Sequence, residues 1–253
     1  MRRASWIVLT LVLLSAAGCG QPGGDSLARA KRAGLLKVGT DATYPPFETV
    51  DASGQVAGFD ADLLREIGKG LGFRVEFLVV PFDGILAALK SGKYDAVISA
   101  LTITDERARQ VLFSEPYYEA GQSICVRSDS PSYRLGDLVG RRIGVQLGTT
   151  GERLAQGVDH AEVVSFDAIG AAFLDLRIGR LDAVISDTPT AALFARAHPE
   201  VRLVGGPITR ESYGIAFRLD DKALKNAVDE QLREMGRSGK LLELRSRWGL
   251  EAP

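Results

Sequence analysis

Two residues of opposite charge, Arg107 and Asp187, stand where their side chains could bind the two ends of a small charged ligand. Arg107 lies in the first turn of a helix predicted to begin at Thr104, and its guanidinium suits a carboxylate. Asp187 directly follows an apolar run and suits an ammonium group. Taken alone, an arginine such as Arg107 more commonly pairs with a neighbouring acid on a solvated helix end. A ligand role therefore needs a second observation.

The second observation is an internal sequence repeat. The segments KSGKYDAVISALT (90–102) and RIGRLDAVISDTP (177–189) share a helix end, a glycine, a basic residue, an apolar residue and DAVIS. Each DAVIS run is typical of a buried strand, and the turn after a strand leaves backbone N–H groups unpaired. The first copy leads to a cation and the second to an anion. Together they predict a site for a ligand with both charges, such as a free amino acid.

A hydroxyl-rich turn after a third predicted strand has the same character. Gly148, Thr149 and Thr150 precede a predicted helix, so backbone N–H groups point outward there. A plain helix N-cap at Thr149 or Thr150 explains the turn equally well.

Composition narrows the class of partner. The chain has 253 residues, 45% of them hydrophobic, and 31 basic against 32 acidic side chains. This length allows one large domain or two lobes, and the balanced charge suggests neither nucleic acid nor an anionic membrane surface as partner. His160 and His198 stand apart, with no metal-ligand or nucleophile spacing. We therefore predict no metal, no cofactor and no catalytic centre.

The N-terminus is typical of a targeting segment. Arg2 and Arg3 precede an apolar run, and small residues lead to Cys19. This pattern resembles the lipobox of bacterial lipoproteins, although Ala16 stands where a leucine is usual; ordinary signal cleavage beside an incidental cysteine is the alternative. We predict a signal peptide at 1–18 and a lipid-anchored tether at 19–34. Cys125, in an apolar run, is expected to be a buried free thiol.

From Leu35 onward, strand and helix patterns alternate, which predicts an α/β fold with a mostly parallel sheet in each of two similar halves. The chain crosses between the halves near Tyr117 and again near Tyr213, so a cleft should lie between them. Ligands of open α/β sheets bind beyond the carboxyl ends of the strands. The predicted boundaries are lobe 1 at 35–116 plus 214–253, lobe 2 at 122–209, and hinges at 117–121 and 210–213.

Seven motifs in order then resemble one family. They are GTDATYPPF, GFDADL, LTITDER, FSEPYY, GTT, SDTP and YGIAF. The chain from Leu35 to Trp248 is similar to the extracellular solute-binding proteins of polar amino-acid ABC transporters, which include glutamine-, histidine- and lysine/arginine/ornithine-binding proteins. The resemblance implies the type II periplasmic-binding-protein fold, in which two lobes joined by two hinge strands close on a ligand.

The resemblance also implies a ligand site, with these residues: Asp41, Tyr44, Phe82, Ser99, Ala100, Thr102, Arg107, Leu147, Thr149, Thr150 and Asp187. Arg107 would bind the ligand α-carboxylate, helped by backbone N–H groups of Thr102 and Thr150. Asp187 would bind the α-ammonium, with the Ser99 carbonyl and the Thr102 hydroxyl beside it.

The remaining residues would surround the ligand side chain. Tyr44 and Phe82 would sandwich it, Asp41 would face its polar tip, and the turn at 147–149 would form the opposite wall. Phe47 and Phe59 are expected in the core instead.

Departures from the family pattern leave the ligand open. Ala100 replaces a serine of basic-ligand members, while Ser186 and Gln146 replace a histidine and a lysine of the glutamine binder. An uncharged Gln146 and an available Asp41 favour arginine, lysine or glutamine. We therefore expect a monomeric receptor, lipid-anchored in the periplasm or at the cell surface, that delivers a zwitterionic amino acid to an ABC permease.

One alternative comes from a different class of protein. The expected fold also resembles that of secreted cyclohexadienyl (prephenate/arogenate) dehydratases. Those enzymes need a carboxylic acid in the pocket, with a raised pKa, to protonate the leaving hydroxyl group. Asp41 is the one spare carboxylate that sequence reasoning places near the site.

Overall fold

The first lobe is built on a mixed sheet with strands from both halves of the sequence. The computed structural model describes residues 26–131 and 133–251. The strands are β1 (Leu35–Thr40), β4 (Arg74–Val79), β5 (Ala96–Val97), β6 (Leu112–Phe113) and β14 (Ala216–Phe217). Their spatial order is β4–β1–β5–β14–β6. The strands β4 and β5 pair parallel with β1, whereas β14 is antiparallel to both β5 and β6.

Helices and a hairpin cover this sheet. The helices are α1 (Ser26–Ala33), α2 (Phe59–Leu71), α3 (Ile85–Lys90), α4 (Asp105–Ala108), α8 (Lys222–Arg237) and α9 (Lys240–Arg247); the hairpin is β2 (Thr49–Val50) with β3 (Val56–Ala57). The face of α2 that packs into the core is buried at Leu63, Leu64 and Ile67. Phe47 and Phe59 are fully buried, as expected of core residues.

The second lobe repeats the plan. Its strands are β8 (Gln122–Arg127), β9 (Arg142–Gln146), β10 (Glu162–Phe166), β11 (Ala183–Asp187) and β12 (Val201–Val204), and its helices are α5 (Thr150–Gln156), α6 (Ile169–Arg177) and α7 (Thr188–Ala197). The order is β10–β9–β11–β8–β12, with β9 parallel to β10 and β11 and with β8 antiparallel to β11 and β12. Cys125 on β8 is a buried free thiol, and burial raises its pKa to about 12.

A two-stranded ribbon joins the lobes. It consists of β7 (Tyr118–Ala120) and β13 (Glu211–Tyr213), paired antiparallel. Aromatic rings from the ribbon and the first lobe pack edge to face or tilted, with centroids 5.1 to 6.2 Å apart: Phe47, Phe59, Tyr117, Tyr118 and Tyr213. This packing anchors the crossing segments firmly to one lobe.

Three sequence-based element assignments need correction. Residues 26–33, which we assigned to the tether, form α1; Ala30 is buried against the first lobe, and Arg218 donates to the Ser26 hydroxyl (2.6 Å). The apolar run YGIAF (213–217) is typical of a single strand, but its residues belong to two short strands in different sheets, because the chain passes from the ribbon into the first lobe at Gly214. The first DAVIS strand ends at Val97, because Ala100 turns the chain with φ +42°.

Two terminal assignments lie outside the described residues: the signal peptide and Cys19. Among the residues that are described, none of the helices has the length and apolar character needed to cross a membrane.

Candidate ligand-binding site

Nine of the eleven predicted site residues converge on one cavity between the two lobes. Its lining consists of Tyr44, Phe82, Ser99, Ala100, Thr102, Arg107, Gln146, Thr149, Thr150 and Asp187. Of the residues predicted from the sequence, Asp41 and Leu147 are absent from this lining. The carboxyl ends of β9 and β11 and the turns after β5 and β9 supply most of it, as expected for ligand sites of α/β sheets.

Arg107 is held rigidly and reaches across the cleft. Thr104 caps α4, since its hydroxyl accepts a hydrogen bond from the Arg107 backbone N–H (3.2 Å). The guanidinium donates to the carbonyl of Thr102 in the first lobe (2.8 Å) and to that of Gly148 in the second (3.0 Å), and it lies 5.5 Å from the Phe82 ring centroid. Burial and the nearby Arg153 lower its pKa to about 10, so it stays charged at neutral pH.

Asp187 enters the cavity from the other lobe. It is the last residue of β11, and its carboxylate accepts from the Tyr44 hydroxyl (2.5 Å) and from Gln122 Nε2 (2.8 Å). Burial, followed by the charge of Glu211, raises the pKa of Asp187 to about 7. A carboxyl group that titrates near neutrality gains strongly from a bound cation.

Tyr44 covers Asp187. Its hydroxyl also contacts the Ser186 hydroxyl (2.9 Å) and accepts from the Asp187 backbone N–H (3.1 Å), so the first lobe is bonded directly to the end of β11. Burial and the charge of Asp187 raise the pKa of Tyr44 well above its usual range.

Asp41 and Leu147 lie behind the lining. Asp41 is buried and accepts a cross-lobe hydrogen bond from Gln146 Nε2 (2.9 Å) as well as one from Thr43. Burial raises the pKa of Asp41. The Leu147 backbone N–H donates to Phe166 (2.9 Å). Asp41 thus contacts two residues of the lining, Gln146 through its carboxylate and Ser99 through its backbone N–H (3.0 Å).

Hydrogen bonds of Thr149 and Glu152 hold the turn after β9. The Thr149 hydroxyl caps α5 by accepting from the Glu152 N–H (3.2 Å), and Glu152 in turn accepts from the Gly148 N–H (2.7 Å). Gly148 has φ +79°, and a Cβ added to it would lie 3.0 Å from the Asp83 Cα in the other lobe. This is a close approach of the two lobes that favours glycine.

Buried acids that the sequence interpretation missed shape the turn at Ser99 and Ala100. Ser99 donates to Glu48 (2.5 Å), and Asp60 accepts from the Ala100 N–H (2.7 Å) and from the Tyr117 hydroxyl (3.0 Å). Burial and the charge of Asp60 raise the pKa of Glu48 well above its usual range, while burial raises the pKa of Asp60 to about 6.

Glu211 and Gln122 were missed as well. Glu211 on the ribbon accepts from the hydroxyls of Thr102 and Thr150, both at 2.8 Å. Gln122 donates to Asp187 and to Thr150 (3.1 Å). The sequence offered one signal for each of them, a polar residue at the edge of an apolar strand pattern. Glu211 precedes YGIAF, and Gln122 precedes SICV. Because Glu211 is a carboxylate, Asp41 is not the one spare carboxylate near the site.

Across residues 26–131 and 133–251, no group of three or more His, Cys, Asp or Glu side chains is arranged to hold a metal ion.

Comparison with known proteins places this arrangement in context. The chain is 36% identical to ABC transporter arginine-binding protein 1 of Escherichia coli over 227 residues, 87% of this chain and 92% of that protein. It is 33% identical to a probable histidine-binding protein of Neisseria gonorrhoeae over 249 residues, 94% of this chain and 93% of that protein.

Solved structures agree in fold. An ancestral arginine-binding protein bound to arginine matches with a TM-score of 0.82 and 43% identity, over 85% of this chain and 98% of that one. An ancestral amino acid-binding protein, described as a precursor of cyclohexadienyl dehydratase, matches with a TM-score of 0.83 and 39% identity, over 88% and 98% of the two chains.

The sequence profile of one family matches residues 36–251, nearly all of the described chain. With its two α/β lobes and a charged cavity between them, the chain belongs to family 3 of the bacterial extracellular solute-binding proteins.

Proposed function

We propose that the protein captures a free basic L-amino acid, arginine above all, outside the cytoplasmic membrane and delivers it to an ABC permease by closure of its lobes. The observation that carries this proposal is the convergence of Arg107 and Asp187, from opposite lobes, on one buried cavity. A zwitterion can neutralise both side chains at once only when the lobes are closed, so binding energy is available to drive closure.

In this proposal the ligand exchanges with hydrogen bonds already in place. Its α-carboxylate takes over the guanidinium bond that Arg107 makes to the Gly148 carbonyl, and its α-ammonium replaces the Tyr44 hydroxyl at Asp187. Each exchange replaces a hydrogen bond between a charged and a neutral group with a bond between opposite charges, which adds Coulomb attraction to the contact. Tyr44 is then released to pack on the ligand side chain opposite Phe82.

The charges around the cavity favour a cationic side chain. Asp187, Glu211 and Asp41 outnumber Arg107, and a zwitterion adds no net charge of its own. Asp41, which accepts from Gln146, is positioned to exchange that amide for a guanidinium or an ammonium group. The arginine-binding relatives support the same ligand class.

The decisive experiment is isothermal titration of the mature domain, stripped of carried-over ligand by unfolding and refolding, against the common L-amino acids. We expect tight binding of arginine, weaker binding of lysine or glutamine, and a loss of one to two decades in Arg107→Ala. Arg109→Ala is the matched control, because Arg109 is exposed two residues further along the chain. Equal affinities for the two variants would contradict the proposed carboxylate site.

An enzymatic function remains the second candidate for one specific reason. The cavity contains a carboxyl group with a pKa of about 7, which suits a general acid, and an amino acid-binding precursor of a dehydratase is among the structural matches. We propose a binding protein rather than an enzyme, because Asp187 is already matched by Arg107 for a zwitterion. Turnover of prephenate by the refolded protein, lost in Asp187→Asn, would reverse that choice.

A further inference from the structure

Glu211 is a carboxylate at the point where both lobes meet the ribbon. It is the first residue of β13, and its backbone pairs with Ala120 of β7. One carboxylate oxygen, Oε2, accepts from Thr102 in the first lobe and from Thr150 in the second, at 2.8 Å each; Gln122 Nε2 lies 3.5 Å away. The other oxygen accepts from the Thr209 hydroxyl (3.0 Å).

These contacts fix the protons of the two threonine hydroxyls. An ionised carboxylate can only accept, so each hydroxyl must donate its single proton to Glu211. The lone pairs of each hydroxyl are then left for other donors: Gln122 uses one at Thr150, while Thr102 keeps its own for the cavity that it lines. A hydroxyl held in this way is an acceptor for a cationic donor.

We infer that Glu211 is a positioning residue for the ligand ammonium, because it turns the Thr102 hydroxyl into an acceptor and adds a second negative charge beside Asp187. The inference rests on the proposed function, which assigns the ammonium to this end of the cavity. It deepens that proposal by giving the ribbon a part in recognition as well as in motion.

The charged and titratable groups facing Asp187 allow a diagnostic readout. They are Glu211 and Tyr213 on β13, Tyr44 from the first lobe and Arg107 on α4. Glu211 is the anion among them, so its neutralisation must lower the pKa of Asp187. The pH below which the affinity for arginine declines should therefore move down in Glu211→Gln. A purely mechanical role of Glu211 in the ribbon would leave that pH unchanged.

The test titrates L-arginine and its analogue lacking the α-amino group into the wild type, Glu211→Gln and a matched control, Glu119→Gln. Glu119 is an exposed carboxylate on the other ribbon strand, and it accepts from the half-buried Ser212 hydroxyl (3.0 Å). We expect Glu211→Gln to weaken arginine binding by about tenfold. It should also shrink the ratio between the two ligands and lower the pH midpoint, whereas Glu119→Gln changes none of these.

A second variant protects the test against misfolding. Thr102→Val removes the hydroxyl but keeps the shape, and its loss of affinity should not add to that of Glu211→Gln, because both remove the same acceptor. The inference would be overturned if Glu211→Gln bound arginine more weakly but kept the wild-type ratio of affinities for the two ligands and the wild-type pH midpoint. Affinity losses that add in the double variant with Thr102→Val would also contradict it. A wild type that binds no amino acid would overturn the proposed function, and the inference with it.

Discussion

At the scale of single residues, the proposed contact of Asp187 with the ligand ammonium predicts that ligand capture depends on pH. Burial and Glu211 raise its pKa to about 7, so part of the protein carries a neutral carboxyl group at neutral pH. An ammonium bound beside it favours the carboxylate and lowers that pKa. Binding below about pH 7 must therefore release a proton.

We expect the affinity for arginine to be highest near pH 8, where Asp187 is ionised and Arg107 is still charged, and to fall below pH 7 by up to tenfold per pH unit. Titrations in buffers with different ionisation enthalpies should show about one proton released per ligand near pH 6 and none near pH 8. An affinity that stays flat down to about pH 5.5 would mean that Asp187 is ionised throughout, or that it does not meet the ligand.

We expect the ionised form of Asp187 to destabilise the ligand-free protein. Because the folded-state pKa is raised above 3.8, the native state holds a proton that the unfolded state releases, so the free energy of unfolding falls as pH rises from about 4 to about 7. The slope is at most about 1.4 kcal/mol per pH unit. We expect Asp187→Asn to remove this loss and to be more stable than the wild type near pH 8, measured by urea unfolding.

Asp182 provides a control of opposite sign. Burial acts to raise its pKa, but hydrogen bonds from Arg142 outweigh burial and lower it. Its contribution to stability is therefore present above about pH 4 and lost as the pH falls below its lowered pKa. Asp182→Asn should lose stability near pH 8, where Asp187→Asn gains it.

At the scale of elements, the turn between β9 and α5 controls how closely the lobes approach. Gly148 combines a left-handed backbone with a near contact to Asp83 in the other lobe, and its carbonyl accepts from Arg107. Thr149 and Glu152 hold the turn in place from within the second lobe. The turn is thus a rigid stop on one side of the cleft.

Gly148→Ala should therefore weaken arginine binding by about tenfold or more, because the new Cβ keeps the lobes apart. The matched control is Gly92→Ala, which shares φ +79° but has nothing within 4 Å of the added Cβ. Both variants should lose about 1 to 2 kcal/mol of stability from backbone strain. Only Gly148→Ala should lose affinity by calorimetry; equal affinities would show that the lobes do not need this contact.

At the scale of the whole molecule, polar contacts across the cleft describe the closed arrangement. They join Tyr44 to Asp187, Asp41 to Gln146, and Arg107 to Gly148, and an ion pair joins Arg153 to Glu106 near the mouth. The first three lie deep in the cleft, where ligand groups can replace them. The ion pair is exposed and can persist when the ligand is bound.

Because the Arg153–Glu106 pair is exposed to solvent, we expect it to contribute little to closure. Glu106→Arg should weaken arginine binding by less than about fivefold, and raised salt should reduce that difference. The double variant Glu106→Arg with Arg153→Glu should restore the affinity. Glu230→Arg on α8, which disrupts an exposed pair with Arg233 outside the cleft, is the control and should have no effect. A larger loss that the double variant fails to restore would contradict a cross-cleft ion pair.

The sequence by itself determined the α/β plan, the two-lobed fold and the central pair of charges. These follow from local patterns. The patterns are the alternating strand and helix signals, the Thr104 cap that holds Arg107, and the second DAVIS repeat, which Asp187 follows. A strand end or a cap is specified by residues within a few positions of one another, so a single sequence can show it.

Only the tertiary structure decided which polar groups share the cavity and how they titrate. Glu211 accepts hydrogen bonds from Thr102 and Thr150, which are 109 and 61 positions earlier in the chain. Tyr44 donates to Asp187, which is 143 positions later. Such neighbours depend on where the ribbon crosses between lobes, and a pKa depends on the burial and charge that result. For that reason the sequence indicated Arg107 and Asp187 as a pair of opposite charges, but not Glu211, which the fold brings beside Asp187 and the two threonines.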